Sequence, residues 1–156
     1  MNKYITLIRA AAMVLITAAF IFTVQLVRRP SAESISVMLY SMPEYSHMQK
    51  MTEPYFGAYL ALLSLPIDDL MVYTAADSTA REFAVCRITD HEQLEQVINV
   101  FKVRVDELAA EFAGNEEELK RIEYFRIVSI NDFVTFTVCD MNATADNAVH
   151  EYFNAH

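Results

Sequence analysis

Thr89 to Phe112 reads T-D-H-E-Q-L-E-Q-V-I-N-V-F-K-V-R-V-D-E-L-A-A-E-F, and the fold follows from how it is read. Leu94, Ile98, Phe101, Val105, Leu108 and Phe112 recur at alternating steps of four and three, which puts six large apolar side chains on one face of a helix. The opposite side carries Glu92, Glu95, Gln96, Asn99, Lys102, Asp106 and Glu111. Thr89 and Glu92 have the spacing of a capping box, and Asp90 with Gln93 offers the same device one residue later. Gly114 stands just past the last apolar position, where a helix stop is expected. A seam of about three heptads with no pairing of flanking charges suits core packing better than a dimeric coiled coil.

Working outward, the segments around this helix read as strands. Leu70 to Ala75 and Glu82 to Ile88 form two strands joined by a polar turn around Asp77, Ser78 and Thr79. A short acidic turn, Asn115 to Arg121, follows the helix. Tyr124 to Ile130 and Phe133 to Cys139 then make a hairpin, and Asn131-Asp132 suits the two positive backbone angles of a type I′ turn. That turn pairs Ile130 with Phe133. It places Phe125, Ile127, Val134, Phe136 and Val138 on one apolar face, which should meet the long helix. Tyr124, Arg126, Val128, Thr135, Thr137 and Cys139 share the mixed face, either exposed or covered by the amino-terminal helices. Asn142 to Phe153 closes the chain as a short helix.

Upstream, Ser31 to Met42 has Ile35, Met38, Leu39 and Met42 on one face, and Pro43 ends it. Pro43 to Lys50 reads as irregular. Thr52 to Leu63 reads as a helix with Pro54 in its first turn and an aromatic face of Tyr55, Phe56 and Tyr59. The expected fold class is α+β: a transmembrane helix, then a helix–hairpin–long helix–hairpin domain with a mostly antiparallel four-stranded sheet.

The transmembrane expectation comes from the first thirty residues. Ala10 to Val27 is an uncharged run of 18 residues, at the short end for a span, and Arg9 can snorkel to lengthen it. A cleaved signal peptide is the competing reading, but Val27-Arg28-Arg29-Pro30 follows where a small-x-small cleavage site belongs. The expected domains are therefore a signal anchor over 1–30 and an extracytoplasmic domain over 31–156. Lys3 and Arg9 flank the span on one side, Arg28 and Arg29 on the other. The bias between them is about one charge and tips the amino terminus inside.

Charge narrows the partners. Residues 1–29 hold four of the 12 bases and no acid, so the remainder carries eight bases and all 21 acids, a net charge of −13. Such a domain is repelled by nucleic-acid phosphates and anionic headgroups, so nucleic acid is excluded. Two glycines, Gly57 and Gly114, leave no Gly-rich phosphate loop.

No residue set declares a reaction. His47, His91, His150 and His156 have no second ligand at metal-site spacing, so neither a metal nor another cofactor is expected. Met42, Met48 and Met51 read as core filler, with a copper-binding cluster beside His47 as the sharper alternative. Glu116-Glu117-Glu118 reads as a solvated run. Arg126, a base within a strand, suggests a structural partner such as Glu123. Cys86 and Cys139 admit three readings: two thiols, one disulfide or a reactive site. Strand alternation favours two thiols, because Cys86 shares a parity with Ala84 and Ile88 toward the helix while Cys139 lies on the other face.

The sequence also resembles a domain-of-unknown-function family of small membrane-anchored proteins and lipoproteins from Gram-positive bacteria. The features that carry the likeness run in order. Leu65-Pro66-Ile67-Asp68-Asp69-Leu70 precedes Val72-Tyr73, and Glu82-Phe83-Ala84-Val85 forms a strand. Asp90 opens a long charged helix containing Arg104, and Ile127-Val128-Ser129-Ile130-Asn131-Asp132-Phe133-Val134 closes the pattern. The likeness spans about residues 31–140. It departs from many members in lacking a lipid-acceptor cysteine, so the helix itself would be the anchor. The resemblance implies a domain outside the membrane and supplies no activity to carry over to residues here. The expected function is a non-catalytic, membrane-anchored accessory or interaction module of the cell envelope, binding a protein or wall component. An envelope enzyme or a solute- or peptide-sensing domain is the alternative.

Overall fold

The computed structural model describes Met13 and residues 30–52, 57–140 and 142–156, with the side chain of Asn142 excepted. The expected anchor, with Lys3, Arg9, Arg28 and Arg29, lies outside the described residues, as does the Glu53–Phe56 part of the expected second helix. Among the described residues no helix is long and apolar enough to cross a membrane. Ser31–Ala155 forms one compact unit.

That unit is α+β. Its helices are α1 (Ala32–Tyr40), α2 (Tyr59–Leu62), α3 (Leu94–Glu111), α4 (Glu116–Glu123) and α5 (Asn142–Ala155). Its strands are β1 (Met48–Lys50), β2 (Ile67–Ala75), β3 (Glu82–Ile88), β4 (Arg126–Ile130) and β5 (Phe133–Val138). The strands form one antiparallel sheet in the order β1-β2-β3-β5-β4. It has five strands where four are expected. The addition is β1, in a stretch that reads as irregular because three residues carry no alternation of their own; only pairing with β2 defines it.

Two apolar layers flank the sheet. On one face Ala84, Cys86, Ile88, Val134, Phe136 and Val138 meet Tyr59, Val97, Phe101, Leu108 and Ile122 of the helices. On the other, Phe83, Val85 and Phe133 meet Ala32, Ile35 and Leu39 of α1 and Ala145 and Val149 of α5. The expected hairpin faces hold: Phe125 and Ile127 lie with the long helix, and Val128 and Cys139 lie opposite. The mixed face is covered by α1 and the carboxy-terminal α5, not by a pair of amino-terminal helices.

The helix starts are built locally. Ser31 and Ser34 form a reciprocal capping box at α1. Before α3, the Asp90 carboxylate accepts from the Glu92 amide at 2.9 Å, while the Thr89 hydroxyl turns away to donate to the Pro66 carbonyl at 2.9 Å. The Thr89–Glu92 box is therefore not made; a turn of 3₁₀ helix at His91–Gln93 leads into α3 instead. Gly114, at φ 92°, follows the helix end as expected. Asn131 takes a positive φ, 52°, in the closing hairpin and Asp132 does not, so the two positive angles of a type I′ turn are not both present. The Ile130–Phe133 register is unchanged. The segment expected as an acidic turn is α4, capped by the Asn115 side chain on the Glu118 amide.

Candidate functional site

The buried stripe of α3 is Val97, Phe101, Arg104 and Leu108. Spacings of four, three and four make this a continuous seam, turned by part of a residue from the expected one. Ile98 and Val105 sit on its half-buried flank. The unexpected member is Arg104, which is 3% exposed.

Arg104 meets Glu82, the first residue of β3, itself 2% exposed. Glu82 shares the parity of Ala84 and Cys86, so its side chain points at α3. The pair is bidentate: Nε donates to Oε1 and Nη2 to Oε2, each at 2.9 Å. Tyr59 of α2 donates its hydroxyl to the same Oε1 in a short hydrogen bond, and the guanidinium lies 5.9 Å from the Tyr59 ring centre. Nη1 of Arg104 donates to Glu107 at 3.3 Å and Glu111 at 3.0 Å. Glu107 in turn accepts the Ala58 amide at 3.0 Å. Burial pulls the Arg104 guanidinium down, and hydrogen bonds and charge from Glu82 more than offset it, holding it above the ordinary arginine value. Burial, then the Glu82 charge, pushes the Tyr59 phenol well up, so it stays a neutral donor.

This network forms the floor of a cleft of about 250 Å³ between α3 and the β2–β3 hairpin, with Met51, Thr74, Arg81 and Phe112 on its walls. Arg81 is itself engaged, through Asp77, Thr79 and the Glu44 carbonyl. A second charged network stands beside it. Glu118 accepts the Ala80 amide at 2.7 Å and pairs with Arg121, which also donates to Asp140 at 2.7 Å. The charges of the cleft thus meet one another, an arrangement that holds β3 to α3 and the hairpin to α4.

A different surface lies between α2 and α3. Ala58, Ala61, Val100 and Val103, with Asn99, line a groove of about 170 Å³ with no charged residue in it. Val103 in its wall is 51% exposed; Leu60 on α2 and Leu63 just past it, 55% and 47% exposed, lie outside the groove lining.

The residues singled out in the sequence are dispersed. His47 sits exposed at a turn with φ 64°, His91 contacts Asp132 at 2.9 Å, and His150 is exposed on α5. Among the described residues no group of three His, Cys, Asp or Glu side chains is placed to hold a metal ion. Met42 and Met48 pack in one apolar layer and Met51 in the other, so they fill cores rather than cluster. Arg126 meets Asp146 at 3.5 Å and the carbonyls of Tyr124 and Phe125, not Glu123. Glu118 departs from the solvated acidic run and is buried at 5% exposure. Cys86 and Cys139 are both buried, on opposite faces of the sheet, and neither is in a disulfide. Burial pushes the Cys86 thiol to about 12, which leaves it protonated and unreactive at neutral pH.

The Arg104–Glu82 pair is the feature sequence reading missed. Its signal was available: Arg104 stands three residues after Phe101 and four before Leu108, inside the apolar seam. In comparisons with known proteins, no family model, no curated protein and no solved structure matches the chain.

Proposed function

We propose that this chain is a single-pass, membrane-anchored module of the cell envelope that acts by binding a protein, without catalysis. The reading is carried by the uncharged groove between α2 and α3, with Val103 exposed in its wall. Its volume of about 170 Å³ suits one or two apolar side chains of a protein partner. The occupied state of the charges in the larger cleft supports the same side. Both Glu82 oxygens already accept hydrogen bonds, and Arg104 donates through all three nitrogens. A general acid or base there would first have to break a buried ion pair. The uncharged run over Ala10–Val27 and the resemblance to small membrane-anchored proteins support the anchor and the outside placement.

Two measurements test this. A photoreactive residue at position 103 in the full chain should crosslink to one protein in intact cells, and Ala61→Asp, in the groove wall and exposed, should abolish the product without lowering the melting temperature. No product, or a product indifferent to Ala61→Asp, rejects the groove. Glu116→Cys should react with a membrane-impermeant thiol reagent on intact cells; reaction only after lysis would put the domain inside.

A further inference from the structure

The α2–α3 groove is lined by uncharged residues, but its end at Ala58 is negatively charged. Glu107 marks that end: its Oε2 accepts the Ala58 amide at 3.0 Å, and Ala58 lines the groove. Arg104 also contacts Oε2, at 3.3 Å, but it is shared with Glu82 and Glu111. One guanidinium thus answers three carboxylates, and negative charge is left over. The Glu107 side chain is 33% exposed, and its Oε1 accepts no hydrogen bond among the described residues.

Asp106 stands on the solvent side of the same end. It is exposed, follows Val103 by three residues and so lies one helical turn along, and makes no ion pair among the described residues. Lys102 is the one exposed base of α3. It lies about 100° around the helix from Val103 and about 160° from Val100, both groove residues, so it does not offset the carboxylates there.

We infer that the partner seated in this groove is a basic amphipathic protein segment. A large apolar side chain enters between Ala61 and Val103, and a lysine or arginine beside it meets Glu107 and Asp106. Val103 and Glu107 are one turn apart, their Cβ atoms about 6 Å from each other, so the partner's apolar and cationic residues are three or four apart on a helix. Charge selects this occupant over the others. The chain beyond residue 29 carries a net charge of −13, so a second copy, an anionic lipid surface or an acidic segment is repelled. The inference rests on the groove reading above and adds the chemistry of its occupant.

The test is the crosslinking from position 103 of the full chain in intact cells, with the charge beside the groove varied. Asp106→Lys should cut the product at least about threefold, and Asp106→Asn should fall between it and the wild type. Lys102→Glu should raise the product, a gain that no loss of folding can produce. Glu151→Lys makes the same change of net charge as Asp106→Lys, but on α5 across the sheet, and should leave the product within about twofold. Should Asp106→Lys melt early, Asp106→Asn and Lys102→Glu carry the test. No product from the wild type overturns both this inference and the groove. A product that resists Asp106→Lys, grows with it, or falls equally with Glu151→Lys leaves the groove standing and overturns the basic partner, as does a loss of product with Lys102→Glu.

Discussion

Replacing Arg104 with methionine strands the Glu82 carboxylate in the interior. The wild-type pair is bidentate at 2.9 Å, and the two side chains are 4% and 2% exposed, so solvent screening does not dilute the loss. Tyr59 remains as a donor to one oxygen, but the other faces α3 with no positive charge. Removing one partner of such a pair costs about 3–5 kcal/mol. For a unit of this size that lowers the melting temperature by roughly 10–20 °C. The companion change, Glu82→Leu, leaves a buried guanidinium with Glu107 and Glu111 still beside it and should cost less. The double variant removes both charges from the α3–β3 contact and should recover most of the stability, giving a coupling energy of about 2–4 kcal/mol. Urea unfolding of residues 31–155, followed by circular dichroism, measures all three. A loss under about 1 kcal/mol for Arg104→Met, or a double variant whose loss equals the sum of the singles, would refute the assignment of this pair as the tie between α3 and β3.

Phe101→Ala should cost about 3–5 kcal/mol in the same assay, because its ring stacks on Phe136 at 5.3 Å and meets Tyr59 edge-on at 6.2 Å; a loss near zero would place Phe101 outside the core. Gly57→Ala should cost about 1–2 kcal/mol, since Gly57 holds φ 50° and an added Cβ would lie 2.3 Å from a Glu107 carboxylate oxygen; equal melting temperatures would argue against that backbone. Alkaline pH should destabilise the domain through Cys86. Its folded value, about 12, is raised from 9.0, so its contribution is complete below about pH 9 and is lost as pH rises toward 12, about 2 kcal/mol of it by pH 10.5. Cys86→Ala should flatten the fall between pH 9 and 10, before the buried tyrosines titrate; an unchanged slope would count against the buried thiol.

Legibility in the sequence tracked periodicity. The long helix carries six regularly spaced apolar residues, and the hairpin carries two alternating strands across a two-residue turn, so both elements and the hairpin faces could be read directly, whereas the helix seam is turned to Val97, Phe101, Arg104 and Leu108. β1 could not, because three residues hold no period and the strand exists by virtue of β2. α4 reads as a turn because a single apolar side chain, Ile122, is buried along it, and its burial otherwise comes from Glu118 and Arg121. That is also why the charged networks were missed. Hydropathy patterns assign a charged side chain to solvent, whereas Arg104 and Glu82 occupy core positions by spacing and parity and are tolerated there only because they meet. The pairing is a tertiary fact joining residues 22 apart in the chain; local spacing marks Arg104 as a core position but does not name its partner.

The sheet order has a consequence for how the chain matures. β3 is the central strand, and β2, its neighbour on one side, comes just before it. Its other neighbour, β5, arrives only after α3, α4 and β4 have been made. Until then the hairpin of β2 and β3 presents Phe83-Ala84-Val85-Cys86 along an unpaired edge, an apolar run without charge, glycine or proline. Closing a loop of this length is slow compared with forming either helix. The emerging chain is therefore most vulnerable to misassociation between synthesis of Ile88 and synthesis of Val138, and a chaperone that shields this interval would act on β3.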